Sequence, residues 1–348
     1  MPARTRTRTR SSSTDVVIVE PALKKQKQEV NVQLKKKKGT TTKKKEISTI
    51  PSTEVETYPQ LNYFINGYKP ITDVTIFEEF SAVHNDEFIR GLKYILEKDP
   101  LLIDVVLKTP FSSYLKLDPN STITTKKYME NGRFYFDRLV SGLISQQISG
   151  KAAKSIKAKI IDNLSTSDEK LVGRLPSPET FNSQTVENLR SLGLSMKKAE
   201  YVKGLAKAFM IESEGDNELK LTHEFFQKSS DELIDSTLQS FKGIGPWSSS
   251  MFMMFGLERM NIFEVGDLGI KRGLSEFLKQ RPELLKEVSD FVKNGGLKSN
   301  SVKKKKPPPK NYHSDEVMEL VANQFEPYKS IFMLIIWRIS DITIDALE

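Results

Sequence analysis

The sequence has 348 residues, 38% of them hydrophobic, and a formal net charge of +8, which allows a sizeable core in one large domain or two small ones. The absence of cysteine excludes disulfides, thiolate nucleophiles, iron–sulfur clusters and sulfur-ligated zinc, and the three histidines share no metal-ligand spacing. No apolar run reaches the ~18 to 20 residues that span a bilayer, so we expect a soluble, non-secreted protein without a membrane partner.

The positive charge is concentrated in the first 50 residues, which contain 14 Lys and Arg against four Asp and Glu. Residues 1–57 combine Arg-Thr repeats, serines and lysine clusters with few large apolar side chains, so burial cannot offset their chain entropy. We predict a disordered basic tail, either simply solvated or a nuclear-import signal that adds non-specific attraction to DNA. We favour import, and therefore expect a nuclear protein that contacts the import machinery.

Residues 58–85 are predicted to be a weakly structured lead-in, followed by a folded domain over residues 86–348. Apolar residues at helical spacing predict a helix from about residue 86, a second around 101–107, and two more across 133–163 with a break near 145–150. Further helices are predicted at 183–192, 197–209, 230–241, 246–255, 267–279, 282–292, 315–325 and 326–339. Few segments alternate with period two, so the predicted fold class is all-α.

A Lys- and Pro-rich stretch, residues 293–310, interrupts this helical pattern with seven lysines and no acidic residue. We interpret it as a flexible insertion. A solvated loop is the simpler explanation, because closure entropy rises slowly with loop length, and contact with DNA is the alternative.

Residues 241–247, with the sequence FKGIGPW, join two predicted helices through glycines at positions 243 and 245. Glycine allows a tight reversal and the close approach of another backbone, and the free amides at the start of a helix attract anions. The segment therefore predicts a clamp for a DNA phosphate, although any tight connection between two helices could use the same glycines.

Asp267 lies 22 positions after Gly245 and directly precedes a predicted helix. An aspartate at that place is a helix N-cap, worth ~1 kcal/mol. The same side chain is also available as a catalytic carboxylate, and the two roles are compatible.

Five ordered segments resemble the helix–hairpin–helix (HhH-GPD) DNA glycosylase superfamily, and most closely its bacterial and fungal 3-methyladenine (alkylated-base) glycosylases. The segments are LVSGLISQQISGKAAKSI (139–156), LRSLGLSMKKAEYVKGLA (189–206), LQSFKGIGPWSSSMFMM (238–254), VGDLGIKRG (265–273) and EPYKSIFMLIIW (326–337). The resemblance covers about residues 88–339, apart from the insertion. It implies a two-lobed helical fold whose cleft receives a nucleotide flipped out of the duplex.

In this family Asp267 would be the catalytic aspartate, which stabilises positive charge on the deoxyribose and positions or deprotonates the attacking water. The resemblance implies hydrolysis of alkylated purines, of the 3-methyladenine and 7-methylguanine type, in double-stranded DNA, leaving an abasic site. Trp247 stands where lyase-competent relatives carry a Schiff-base lysine, which implies a monofunctional enzyme.

The resemblance also implies roles for residues around Asp267. Trp247 and Trp337 would be aromatic walls of the base pocket, with Met251 in the place of a pocket tyrosine, although both tryptophans could instead fill the core. Gln147 would fill the gap that the extruded base leaves. The DNA backbone would be held by Gly243, Ile244, Gly245 and Ser248. A structural Na⁺ or K⁺ would be ligated by the carbonyls of Gln239, Phe241 and Ile244, and no cofactor is required for the chemistry.

Three alternatives to an alkylated-purine glycosylase remain open. A related glycosylase could act on a deaminated or oxidised base. A non-catalytic DNA-binding scaffold would keep the hairpin glycines but would not need Asp267 beside aromatic residues. A helical protein with a basic tail would lose its affinity for DNA once residues 1–57 were removed. Nothing in the sequence indicates more than a monomer.

Overall fold

A computed structural model of the chain describes residues 59–65, 74–116, 132–210, 221–296 and 312–340. In these ranges the regular structure is helical, apart from one isolated β-bridge between His84 and Leu115, so the all-α prediction is confirmed. The predicted tail, residues 1–57, lies outside the described residues, as do residues 297–310 of the predicted insertion. No helix in the described ranges has both the length and the apolar character needed to cross a membrane.

Seventeen α-helices account for most of the described residues. They are α1 (Asn62–Ile65), α2 (Val74–Val83), α3 (Asp86–Lys98), α4 (Ile103–Val106), α5 (Arg133–Ser145), α6 (Gly150–Leu164), α7 (Ser167–Leu171), α8 (Pro178–Ser183), α9 (Val186–Ser191), α10 (Met196–Phe209), α11 (His223–Lys228), α12 (Asp231–Gln239), α13 (Pro246–Phe255), α14 (Leu268–Lys279), α15 (Pro282–Lys293), α16 (Asp315–Asn323) and α17 (Lys329–Ile339). Short 3₁₀ turns at Pro100–Leu102 and Ser112–Tyr114 complete the set.

Two hydrophobic cores divide these helices into two lobes. In the first lobe, α1 to α4 pack with α14 to α17 around a core that includes Phe88 and Phe332. In the second lobe, α5, α6 and α8 to α12 enclose a core that includes Phe136 and Phe226. The first lobe therefore contains both the early and the late helices, and the second lobe contains the helices between them.

Helix α13 belongs to both cores. Met251 and Met254 are buried in the core of the first lobe, whereas Phe252 and Met253 are buried in the core of the second. A helix that is buried on several sides is apolar around most of its circumference, as α13 is after its first turn. The helix therefore joins the two lobes, and its N-terminal end carries the glycine hairpin.

Some helices begin later than predicted. Within residues 183–192, predicted as one helix, α9 spans only Val186–Ser191, because Gln184 is extended and the Thr185 side chain accepts from the amide of Asn188 to start α9. The last helix begins at Lys329, because Tyr328 has non-helical backbone angles. Residues 74–83, within the predicted lead-in, form α2.

His84 is fully buried between the rings of Phe80 and Phe88. Its Nδ1 lies 2.8 Å from the Phe80 carbonyl oxygen, and its Nε2 accepts from the Phe111 amide at 2.9 Å. Because a backbone amide can only donate, the ring is neutral with its proton on Nδ1. Burial lowers the pKa of His84, and the charge of Arg338 acts in the same direction.

We expect the free energy of unfolding to fall as the pH is lowered from about 7.5 to about 5.5. A histidine in the unfolded chain takes up a proton near pH 6.5, whereas folded His84 stays neutral to a lower pH, so the unfolded state binds more protons in this window. The stabilisation that neutral His84 provides is therefore full above about pH 6.5. It is lost as the pH falls through the lower pKa that His84 has in the folded state. Denaturant unfolding at the two pH values measures the change.

The variant His84→Gln is the matched comparison, because a glutamine amide can donate to Phe80 and accept from Phe111 without titrating. It should show a smaller pH dependence than the wild type. Some dependence will remain, since burial also lowers the pKa of His313. An equal dependence in both proteins would contradict the assignment to His84.

Candidate active site

The hairpin between α12 and α13 is shaped by Gly243. Its φ of +93° lies in the left-handed region, and a Cβ at this position would overlap the ring of Tyr201. Glycine satisfies both constraints. Gly245 differs, because its backbone is extended and no atom lies within 4 Å of the position that a Cβ would take. Glycine at position 245 therefore relieves no strain and instead leaves the hairpin surface open.

The start of α13 has no side-chain cap. Its N-cap is Gly245 and its first residue is Pro246, and within the described ranges the amides of Trp247 and Ser248 have no protein acceptor. Helix α10 also follows a glycine turn, but there the Ser195 side chain accepts from a first-turn amide. The amides at the start of α13 are consequently available to an anion.

The carboxylate of Asp267 accepts three N–H hydrogen bonds. Oδ1 accepts from the Ile270 amide at 2.8 Å, which makes Asp267 the predicted N-cap of α14, and also from the Trp337 indole at 2.9 Å. Oδ2 accepts from the Trp247 indole at 2.7 Å. Both tryptophans of the chain therefore orient the same partly exposed carboxylate, where α13, α14 and α17 meet.

Trp337 reaches Asp267 because α14 and α17 pack closely together. A Cβ at Gly273 would overlap the carbonyl oxygen of Ile336, so any larger residue there would hold the two helices apart. The Trp337 side chain is only 2% exposed, and its ring is stacked on Phe255, with the centroids 6.3 Å apart and the planes within 8°. In this structure Trp337 is a buried support for Asp267.

The side chains predicted to form the base pocket differ in exposure. Trp247 is 36% exposed, whereas Met251 is 6% exposed and packs in the core of the first lobe. Of these two and Trp337, Trp247 offers the largest surface to a ligand beside Asp267.

The turn between α5 and α6 carries Gln147, whose side chain is exposed and whose φ of +57° is left-handed. The preceding residue, Gln146, attaches this turn to the hairpin. Its Nε2 donates to the Gly243 carbonyl at 2.8 Å and to the Ser248 hydroxyl at 3.0 Å. The residues predicted to contact the duplex gap and the DNA backbone are therefore neighbours. Gln146 was not identified from the sequence, because its partners are 97 and 102 residues away.

Lys198 supports the same turn and was also not identified from the sequence. Its Nζ donates to the carbonyls of Ile144 and Gln146, at 2.7 and 2.6 Å, at the C-terminal end of α5. Partial burial lowers the pKa of Lys198. A cation at this end of a helix complements the helix dipole, so the lysine stabilises the turn that presents Gln147.

The carbonyls predicted to ligate a cation lie at the end of α12 and in the hairpin. The Phe241 carbonyl accepts from the Ile244 amide at 3.1 Å, and those of Gln239 and Ile244 accept no hydrogen bond from the described residues. Carbonyl oxygens with spare lone pairs suit a hard monovalent cation. No group of three or more His, Asp or Glu able to hold a metal ion occurs in the described part of the chain.

Residues 140–291 match the family model of HhH-GPD superfamily base excision DNA repair proteins. The chain is 37% identical over 287 residues to the DNA-3-methyladenine glycosylase of Saccharomyces cerevisiae, which covers 81% of this chain and 89% of that protein. It is 29% identical over 151 residues to DNA-3-methyladenine glycosylase 1 of Schizosaccharomyces pombe, covering 43% of this chain and 60% of that protein. The solved structure of a Schizosaccharomyces pombe 3-methyladenine DNA glycosylase in complex with abasic DNA aligns over 60% of this chain and 82% of that chain, with 21% identity and a TM-score of 0.43.

Proposed function

This chain belongs to the HhH-GPD superfamily of base excision DNA repair proteins, and we propose that it is a monofunctional DNA-3-methyladenine glycosylase. It would hydrolyse the N-glycosidic bond of alkylated purines in double-stranded DNA and leave an abasic site. The observation that carries the proposal is the 2.7 Å hydrogen bond from Trp247 to Asp267. This hydrogen bond connects α13, whose first amides are available to an anion, to the Asp267 carboxylate, which we expect to act on the sugar.

Asp267 would act on the deoxyribose of the extruded nucleotide. As the glycosidic bond stretches, positive charge develops on the sugar and the carboxylate stabilises it. The bonding electron pair leaves with the purine, and water adds to the anomeric carbon while Asp267 accepts its proton. Alkylation at N3 or N7 makes the purine cationic, so it departs as a neutral base and needs no general acid.

Trp247 would favour bases that carry a positive charge. Trp247 is 36% exposed, and an electron-rich indole face attracts a desolvated cation by ~1 to 2 kcal/mol. Met251 and Trp337, which are 6% and 2% exposed, would act on the pocket mainly by shaping its wall.

We assign Gln147 to the gap that the extruded nucleotide leaves in the duplex, where its amide can hydrogen-bond the orphaned base. Gln147→Ala should weaken binding to a duplex with an abasic site roughly 3- to 10-fold, the worth of about one hydrogen bond. Binding to intact duplex serves as the internal control and should change little. Equal affinity of both proteins for the abasic duplex, measured by equilibrium titration, would rule out this role.

Base release from a duplex that contains one methylated purine tests the function itself. We expect free methylated base, a strand that stays intact until alkali treatment, and no covalent complex after borohydride reduction, because Trp247 offers no amine for a Schiff base. A strand break without alkali, or a trapped complex, would overturn the monofunctional assignment. Release of a deaminated or oxidised base with none of the methylated one would favour a related glycosylase.

Two further proposals accompany this function. A Na⁺ or K⁺ held by the carbonyls of Gln239, Phe241 and Ile244 would place positive charge beside a DNA phosphate, as a structural and not a catalytic ion. Exchange of these ions for a bulky organic cation at constant ionic strength should then weaken duplex binding. Unchanged binding would contradict the ion site.

The basic residues 1–57 would direct the protein to the nucleus, and deleting them from a fluorescent fusion should abolish nuclear accumulation. Unchanged nuclear accumulation would contradict this role.

A further inference from the structure

We propose that Ser250 and Glu264 form a positioning pair that fixes Asp267 relative to α13. This inference rests on the function proposed above. Neither residue belongs to the segments expected to touch DNA, and both act through the turn that leads into α14.

Glu264 organises that turn with its side chain and its backbone. Its Oε1 accepts from the Gly266 amide at 2.8 Å, and its carbonyl accepts from the Asp267 amide at 3.2 Å. A Cβ at Gly266 would lie 2.6 Å from Oε1 of Glu264, so the carboxylate can fold back over the turn only because glycine follows at that position. The Glu264 side chain therefore holds the backbone of the turn that presents Asp267.

Ser250 links this turn to α13. Its hydroxyl donates to Oε2 of Glu264 at 2.9 Å. Ser250 follows Trp247 by three residues, so the two side chains lie on one face of the helix. This face therefore holds the turn at two points, through the bond from Trp247 to Asp267 and the bond from Ser250 to Glu264. The bond from Trp247 holds the Asp267 carboxylate, and the bond from Ser250, one helical turn away, holds the backbone of the turn that precedes Asp267.

Hydrogen bonding, not charge, is the property of Glu264 that this arrangement uses. Each carboxylate oxygen already accepts from a protein donor, one on the turn and one on α13. A glutamine can reproduce both contacts, because its Oε1 accepts from Gly266 and its Nε2 donates to the oxygen of Ser250. Glu264→Gln therefore separates a positioning role from a role as an acid, a base or a charge.

The experiment compares Ser250→Ala, Glu264→Ala, their combination and Glu264→Gln in the full-length chain. At saturating enzyme, the single-turnover rate of methylated-base release should fall roughly 10- to 100-fold in each alanine variant, because small displacements of a catalytic group are costly. The double variant should lose no more than the worse single variant, since one interaction is removed. Affinity for an abasic duplex should stay within about 2-fold, and Glu264→Gln should stay within about 3-fold of the wild-type rate.

Tryptophan fluorescence provides a readout that needs no activity. The chain has two tryptophans, and both donate to Asp267, so their emission reports the position of this carboxylate. The alanine variants should shift the emission and Glu264→Gln should not. Matched controls are Ser183→Ala, which removes an exposed hydroxyl in α8, and Glu224→Ala, which removes an exposed partner of Lys228.

Wild-type rate and emission in Ser250→Ala and Glu264→Ala would overturn the inference. A Glu264→Gln variant as slow as Glu264→Ala would also overturn it, because the charge of Glu264 would then be the property that matters. If the wild type released no methylated base, the proposed function would fail instead, and the emission of the variants would still decide whether the pair positions Asp267.

Discussion

Replacing Asp267 by Asn should lower the single-turnover rate of methylated-base release by roughly 100- to 1,000-fold, the usual effect of removing one group that stabilises charge in a transition state. The amide lacks the negative charge that opposes the charge on the sugar. It also turns one acceptor into a donor, so one of the three N–H groups that now meet the carboxylate loses its partner. Folding should be preserved, because Asn and Asp are about equally good N-caps.

Asn85→Asp is the matched control for this variant. Asn85 caps α3 and accepts from the Phe88 amide at 2.9 Å. The control variant therefore replaces an amide by a carboxylate at a helix N-cap, which is the reverse of Asp267→Asn, at a position outside the site. Its rate should equal that of the wild type. Duplex affinity of the Asp267→Asn variant should be unchanged or higher, because a negative charge near DNA is removed. A near-wild-type rate in Asp267→Asn would remove Asp267 from the chemistry and favour a DNA-binding scaffold.

Gly243→Ala should cost both stability and duplex binding. An L-residue in the left-handed region is strained by roughly 1 to 2 kcal/mol, and the added methyl group would also overlap the ring of Tyr201. The hairpin can accommodate this group only by moving, which displaces the first amides of α13. Urea unfolding and duplex titration at several salt concentrations measure the two losses.

Gly173 separates the cost of backbone strain from the cost of steric overlap. Gly173 has a φ of +65° with no atom within 4 Å of the position of a Cβ, so Gly173→Ala should cost strain alone and leave binding unchanged.

Gly245→Ala tests the phosphate contact itself. It should introduce neither backbone strain nor steric overlap, so the free energy of unfolding should stay within about 1 kcal/mol of the wild-type value. Duplex affinity should nevertheless fall, because the methyl group stands where a phosphate would approach. Wild-type affinity in Gly245→Ala would contradict a phosphate contact at this hairpin.

The features that the sequence predicted correctly depend on neighbouring residues. The apolar spacing of residues 88–96 predicts α3, and the position of Asp267 before an amphipathic segment predicts an N-cap, because each pattern is complete within a few residues. The resemblance to a family added the two-lobed arrangement, which periodicity cannot provide.

The features that the sequence did not predict depend on contacts between distant residues. Trp337 bonds Asp267 across 70 residues, and nothing near Trp337 distinguishes an indole that supports a carboxylate from one that faces a base. The attachment of Gln146 to the hairpin and the link from Ser250 to Glu264 are likewise products of packing. Polar side chains of this kind resemble ordinary surface residues until the helices that bring them together are known.

Because α13 is shared between two cores, we expect the DNA, and not the protein, to change shape when a lesion is recognised. Side chains at successive positions, such as Met251 and Phe252, are buried in different lobes, so tilting the helix would open one core or the other. Under the proposed function, we expect α13 to stay rigid at this seam while the DNA duplex deforms. Base-pair steps that stack poorly or bend easily would then be distorted at the lowest cost, and the flexibility of the duplex around a lesion would contribute to its recognition.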